Sequence, residues 1–178
     1  METIEIQVYD FDELAESVQR DVVNGWRVGD EFYFFDDWEA SIYALFNAFD
    51  CLRLNYFSWA GCHNYNHVRF DISQDLQDMT GVRLYKYLLN NYGDLLAKWD
   101  ACELTGFIGD YNCLEPIAKF VQRPDHNTTF EELINDCFHS WCNGVQSDYD
   151  YWLSEDSIIE DITANMYQFT EKGDIYYA

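Results

Sequence analysis

Between Pro124 and Glu171 the chain carries eleven Asp or Glu residues and no Lys or Arg. Its densest part, SDYDYWLSEDSIIED over residues 147–161, holds six carboxylates. Like charges repel and weaken a compact state, so such a segment either stays unfolded or closes over a good apolar core. Disordered acidic segments are poor in aromatics, whereas here Phe130, Phe138, Trp141, Tyr149, Tyr151 and Trp152 are interleaved with the acids. The stretch therefore folds, and it must do so with its carboxylates outward. TTFEELINDCFHSWCNGVQSDYDYWL meets that requirement as a helix: Thr129 and Glu132 form a capping box, and Phe130, Leu133, Ile134, Cys137, Phe138, Trp141, Val145 and Trp152 form one apolar face. SEDSIIEDITAN follows as a second capped helix. With the stripes inward, Glu131, Glu132, Asp136 and Asp148 project outward, as do Glu155, Asp156, Glu160 and Asp161.

Earlier in the chain, TIEIQVY (3–9) alternates as a strand does. DFDELAESVQRDVVNGWR reads as a helix capped by Asp10 or Asp12, with Leu14, Val18, Val22 and Trp26 on one face and Gly29 ending it. DDWEASIYALFNAF is a helix with the stripe Trp38, Ile42, Leu45, Phe46 and Phe49. Strands follow over 51–59 and 67–73, joined by AGCHNYN. A helix over 82–99, a Gly-broken loop through GFIGDYN and a short helix over 113–122 come next. YQFTEKGDIYY ends the sequence as a strand pair or a strand turning at Gly173. The expected class is α+β, a small and largely antiparallel sheet with helices packed mainly on one face. The 178 residues suit a single acidic domain, with room for an acidic C-terminal helical lobe over about 124–166.

Net charge is −23, distributed as −11 over residues 1–50, −1 over 51–123 and −11 over 124–178. A uniform high-salt adaptation would acidify every surface segment, so the polarised distribution argues against it. Carboxylates in a first helical turn favour the macrodipole, which accounts for Asp36, Glu131, Glu132, Glu155 and Asp156 individually. It does not account for the missing Lys and Arg in later turns, where the same dipole favours them. The deficit of bases is the informative part. METIEIQVYD has neither the basic nor the apolar region of a signal peptide, the apolar runs fall short of the ~20 residues of a membrane span, and an anionic membrane repels such a chain. These features lead to the expectation of a cytoplasmic protein without membrane contact, whose cysteines 51, 62, 102, 113, 137 and 142 are reduced.

Motifs for chemistry are weak. Cys62, His63 and His67 in CHNYNH, with Cys137, His139 and Cys142 in CFHSWC, offer soft ligands, but their spacing lacks the paired pattern of a zinc site. Cys62 beside His63 is no thiol nucleophile signature, because catalytic partners meet in space and not by adjacency. No phosphate-cradling Gly-rich loop, Gly-x-Ser-x-Gly or His-Glu-x-x-His occurs. With 33 acids in the chain, pairs such as Asp36/Asp37 arise by chance. The expectation is a non-enzyme with no catalytic residue, metal or cofactor. A metal protein or enzyme built on CHNYNH is the rival reading. EFYFFDDW (31–38) serves either as an aromatic hot spot for a partner or as a segment packing on the core.

YDFDELAESVQRDVV with its following Trp26, DDWEASIYALF, FDIS and above all ANMYQFTEKG resemble a family of small acidic proteins of phages and mobile elements of Gram-positive bacteria, often labelled "antitoxin of toxin-antitoxin stability system". The chain is also similar in character to anti-CRISPR proteins acting on type II RNA-guided nucleases. The resemblance implies no catalytic residues. It implies a mobile-element inhibitor that binds a basic host nucleic-acid-handling protein, such as a CRISPR effector nuclease or a restriction enzyme, and does not itself bind nucleic acid. An antitoxin for a basic toxin is the alternative. The residues expected to meet the partner are Asp148, Asp150, Glu155, Asp156, Glu160, Asp161, Glu131, Glu132, Asp36, Asp37, Glu39 and Glu31.

Overall fold

Trp38 and its neighbours show what organises most of the chain. In a computed structural model describing residues 6–29, 32, 34–60 and 66–177, Trp38 lies on a helix from Phe35 to Ala48. The expected stripe of that helix, Trp38, Ile42, Leu45 and Phe46, with Phe49 just beyond it, is buried. Two close approaches depend on glycine. A Cβ on Gly109 would sit 2.7 Å from Ser41 Oγ, and one on Gly144 would sit 2.5 Å from the Trp38 ring. The Trp141 indole N–H donates to the Trp38 carbonyl at 2.7 Å, which satisfies a polar group at zero exposure.

In chain order the helices are α1 (Glu16–Gly29), α2 (Phe35–Ala48), α3 (Gly81–Leu96), α4 (Gly109–Gln122), α5 (Phe130–Trp152) and α6 (Glu155–Ala164), and the strands are β1 (Leu52–Ser58) and β2 (His67–Ile72). The class is α+β, with helices packed around a two-stranded antiparallel sheet. Its register pairs Leu52 with Ile72, Leu54 with Phe70 and Phe57 with Val68, shifting at a bulge between Leu54 and Tyr56. One face turns inward, where Phe70 meets Phe46 and Phe57 meets Trp141, each at 5.6 Å between ring centroids. Arg53, Tyr56, His67, Arg69 and Asp71 stay exposed, the in-out alternation of a half-buried strand pair.

The described chain divides into two compact units, Tyr33–Ser147 and a smaller one made of Met1–Phe32 with Asp148–Ala178. The boundary falls inside α5, so residues 124–147 of the acidic segment belong to the larger unit and 148–166 to the smaller. In the smaller unit Leu14, Val22, Val23, Ile158, Ile162 and Phe169 form a core that Val18, Trp26, Tyr167 and Ile175 complete. Among the described residues 6–9 of the expected N-terminal strand, no strand forms. Residues 3–5 lie outside the described residues, and Tyr9 makes an isolated bridge with Phe169 through reciprocal N–H···O=C bonds of 2.9 Å. A 3-10 turn at Phe11–Glu13 begins two residues on and stops the pairing. The C-terminal pair is likewise reduced to one bridge, Phe169 with Ile175. Gly173 makes its turn at φ +88°, and a Cβ there would lie 2.9 Å from the methyls of Val18 and Val22.

Several other boundaries move. Asp10 precedes the 3-10 turn, where its N–H is taken by the Glu13 carboxylate at 3.1 Å, and α1 starts only at Glu16. α4 starts at Gly109, four residues before the short helix read from sequence, because Asp110 anchors it. The Asp110 carboxylate is fully buried. It accepts from the N–H groups of Leu104, Thr105 and Gly106 and from the Thr105 hydroxyl at 2.6–3.1 Å. A charge out of water is tolerable when it is bonded in this way.

Candidate protein-binding surface

The smaller unit gathers acids from both ends of the sequence. Its 63 residues contain 17 Asp or Glu and 3 Lys or Arg, a net charge of −14, while the 115 residues of the larger unit carry 16 acids and 7 bases, a net charge of −9. α6 supplies Glu155, Asp156, Glu160 and Asp161, all exposed. Its amphipathic turn explains the arrangement: Ile158 and Ile162 are buried in the unit's core and Ile159 packs against it, while Glu160 and Asp161 between them face water. The Ser154 hydroxyl accepts from the Ser157 N–H at 3.2 Å and caps the helix as its sequence predicts.

Six of the expected partner-binding residues, Asp148, Asp150, Glu155, Asp156, Glu160 and Asp161, fall in this unit. All are exposed except Asp148, which is half-buried. The sequence reading missed Asp10, Asp12, Glu13, Glu16 and Asp21, which share the unit and are exposed as well. Its signal for them was the −11 of residues 1–50, without any indication of which element they join.

Of the other expected residues, Asp36, Asp37, Glu39, Glu131 and Glu132 belong to the larger unit. Asp36 and Asp37 are exposed in the first turn of α2, and Glu39 is half-buried. Glu131 and Glu132 open α5. Glu132 is committed to the capping box, accepting from the Thr129 N–H at 2.8 Å and its hydroxyl at 3.0 Å, while the Thr129 oxygen accepts from the Glu132 N–H at 3.1 Å. That carboxylate terminates a helix, which accounts for it without a partner. Glu31 lies outside the described residues.

Two of the three bases in the smaller unit serve backbone carbonyls. Arg27 Nε donates to Leu153 O at 2.9 Å, just beyond the C-terminus of α5, where a cation suits the unpaired carbonyls. Arg20 Nε donates to Glu16 O at 3.4 Å. The ion pairs Lys119–Glu115 at 2.8 Å and Lys98–Glu103 at 3.4 Å are both in the larger unit.

The alternative chemistry has less to work with. Among the described residues no group of three His, Cys, Asp or Glu side chains is placed to hold a metal, and residues 61–65, with Cys62 and His63, lie outside them. Cys51, Cys102, Cys113, Cys137 and Cys142 are free thiols. Burial raises the pKa of Cys113 and Cys137 and pushes Cys142 up to about 12, the opposite of what an activated nucleophile needs. Cys51 is also raised by burial, although the Tyr92 hydroxyl approaches its sulfur at 3.5 Å. The EFYFFDDW segment divides its rings. Trp38 is core, Phe35 stacks on Trp59 at 5.5 Å, Phe32 packs edge-on to Tyr149 at 5.4 Å, and Phe34 is exposed; Tyr33 lies outside the described residues.

Among the described residues no helix is long and apolar enough to cross a membrane. Comparison with protein-family models, with curated proteins and with solved structures finds no match.

Proposed function

We propose that this protein is a mobile-element inhibitor that acts in the cytoplasm of a bacterial host by binding a basic, nucleic-acid-handling defence protein, foremost a type II RNA-guided nuclease. The smaller unit stands in for duplex DNA. The observation that carries this reading is the union of both acidic ends of the sequence in one unit of net charge −14. Duplex DNA presents one charge per ~1.7 Å of axis, and proteins that bind it line their sites with Lys and Arg. Exposed carboxylates on a folded core occupy such a site and release its counterions as DNA does. In an RNA-guided nuclease the matching site is the groove that reads the short duplex motif beside the target, or the adjoining cationic channel. The action is binding, with no chemical step.

The test is competition. A purified type II effector with its guide is incubated with target duplex and increasing amounts of this protein over a range of salt. Inhibition of DNA capture that weakens as salt rises is expected. Asn or Gln in place of Asp148, Asp150, Glu155, Asp156, Glu160 and Asp161 should weaken it and flatten the salt dependence, while the same change at Asp71, Asp75 and Asp78 leaves it unaltered. Undiminished DNA capture in every such effector, or full potency in the six-fold variant, rules the proposal out. A restriction enzyme and a basic toxin, assayed in parallel, separate this reading from the anti-restriction and antitoxin alternatives.

A further inference from the structure

A groove of about 420 Å³ lies within the smaller unit, between the 3-10 turn at Phe11 and the outer flank of α6. Phe11, Ile159, Met166 and Tyr167 give it apolar walls, and Asp10 and Asp12 stand at its edge. Its volume falls within the ~300–1,000 Å³ usual for binding pockets. Met166 is 83% exposed and holds φ at +53°, a left-handed backbone that methionine rarely adopts. A flexible, polarisable thioether beside an apolar recess suits a surface that moulds itself to another side chain. Phe11 is fixed from behind by Phe169, ring centroids 6.3 Å apart, so one wall is rigid and the other adaptable.

Charge selects the occupant. An anion is repelled by Asp10, Asp12 and the unit's net charge, and a second copy of this chain brings the same charge with it. A neutral apolar molecule leaves the two carboxylates unused. We infer that the groove takes a short peptide segment of the basic partner, with one apolar side chain between Phe11 and Met166 and flanking Lys or Arg against Asp10 and Asp12. The inference rests on the proposed binding of a basic partner and adds to it an apolar anchor. Charge supplies steering and salt dependence, and the anchor supplies the fully desolvated contact on which affinity concentrates.

The probes are three pentapeptides: Lys-Arg-Leu-Arg-Lys, the same with Ala at the centre, and Glu-Glu-Leu-Glu-Glu. Binding to the full chain is followed through the methyl resonances of ¹³C-methionine, with Met166 assigned through Met166→Leu. The Leu peptide should shift the Met166 methyl and bind at least ten-fold more tightly than the Ala peptide, and the acidic peptide should not bind. Thr163→Phe fills the groove from an exposed position of α6 and leaves every carboxylate in place. It should abolish the ten-fold preference without changing affinity for the Ala peptide. Equal affinity for the Leu and Ala peptides, an unmoved Met166 methyl, or self-association through this groove overturns the inference. In the DNA-capture assay, a Thr163→Phe protein of full potency beside an impotent six-fold acid variant removes the groove and keeps the proposed function. Full potency in both removes the proposed function itself.

Discussion

The two units solve the same problem with unequal means. The larger one has the sheet, most of the buried residues, all six cysteines and both Lys–Glu ion pairs described above. The smaller one encloses a modest core under isolated bridges, yet it carries net −14 against −9. If acidity served only solubility, it would gather where the core can best absorb repulsion. It gathers instead where repulsion costs most relative to burial. That mismatch is the physical argument that the charge has a use.

The contrast can be attacked at its strongest point first. Phe169 is fully buried at the centre of the smaller core and carries both of its backbone bridges. Phe169→Ala should cost about 3–5 kcal/mol, read by denaturant unfolding, and should raise amide exchange most at Tyr9 and Phe169. A loss below about 1 kcal/mol would mean that this core is not what holds the acids together.

The larger unit offers a chemical counterpart. Burial disfavours the thiolates of Cys113, Cys137 and Cys142, so each stays protonated until pH rises toward its elevated pKa, about 12 for Cys142. Native protein at pH 8 should leave these three unalkylated while unfolded protein labels them rapidly. Because no cysteine belongs to the smaller unit, this labelling reports the larger core alone. Asp110→Asn, which puts an amide where the carboxylate collects its four donors, should cost about 1–3 kcal/mol and hasten it. Unchanged labelling in that variant would show that the residue 104–106 loop is held by other means.

Two glycines sharpen the comparison. Gly106 and Gly173 have nearly the same φ, +89° and +88°, but only Gly173 has neighbours in the way. Alanine at Gly106 should cost about 1–2 kcal/mol, the penalty of a left-handed backbone, and alanine at Gly173 should cost more because Val18 and Val22 must shift. Equal costs would place the C-terminal turn less firmly on α1 than described. The smallest effect is electrostatic. Asp21→Asn with Glu160→Gln should raise stability by no more than about 0.5 kcal/mol each. The gain should disappear at high salt, where the screening length falls to ~3 Å; a gain indifferent to salt would not be relief of repulsion.

Legibility in the sequence followed the range of the interaction. Local signals held: the Thr129–Glu132 capping box, the stripe from Trp38 to Phe49, the Ser154 cap and the turn at Gly173 all appear where the residues place them. The two strands expected over 51–59 and 67–73 also appear, as Leu52–Ser58 and His67–Ile72. What failed depended on partners distant in sequence. An alternating TIEIQVY suggests a strand, but a ladder needs a neighbour of matching length, and among its described residues 6–9 Tyr9 alone is bridged, to Phe169, two residues before the 3-10 turn begins. The acids of residues 10–21 could not be assigned to the same unit as α6 from their charge, since only Val22, Val23, Ile158, Ile162 and Phe169 meeting in one core brings the two segments together. Asp110 reads as part of a Gly-broken loop because three of its four donors are backbone N–H groups, which no side-chain pattern announces.

A core drawn from residues up to 32 and from 148 onward has a consequence for synthesis. The first acidic segment leaves the ribosome long before α6 exists, and the 115 residues of the larger unit are made in between. At a translation rate of ~5–20 residues per second, Val22 and Val23 wait on the order of ten seconds for Ile158, Ile162 and Phe169. Contacts of such sequence separation close slowly, since chain entropy must be given up before they form. The smaller unit is therefore completed last, after the larger core has had time to settle. A nascent chain halted before residue 148 leaves Leu14, Val22 and Val23 without Ile158, Ile162 and Phe169, and the like charge of the acids around them opposes association of such chains.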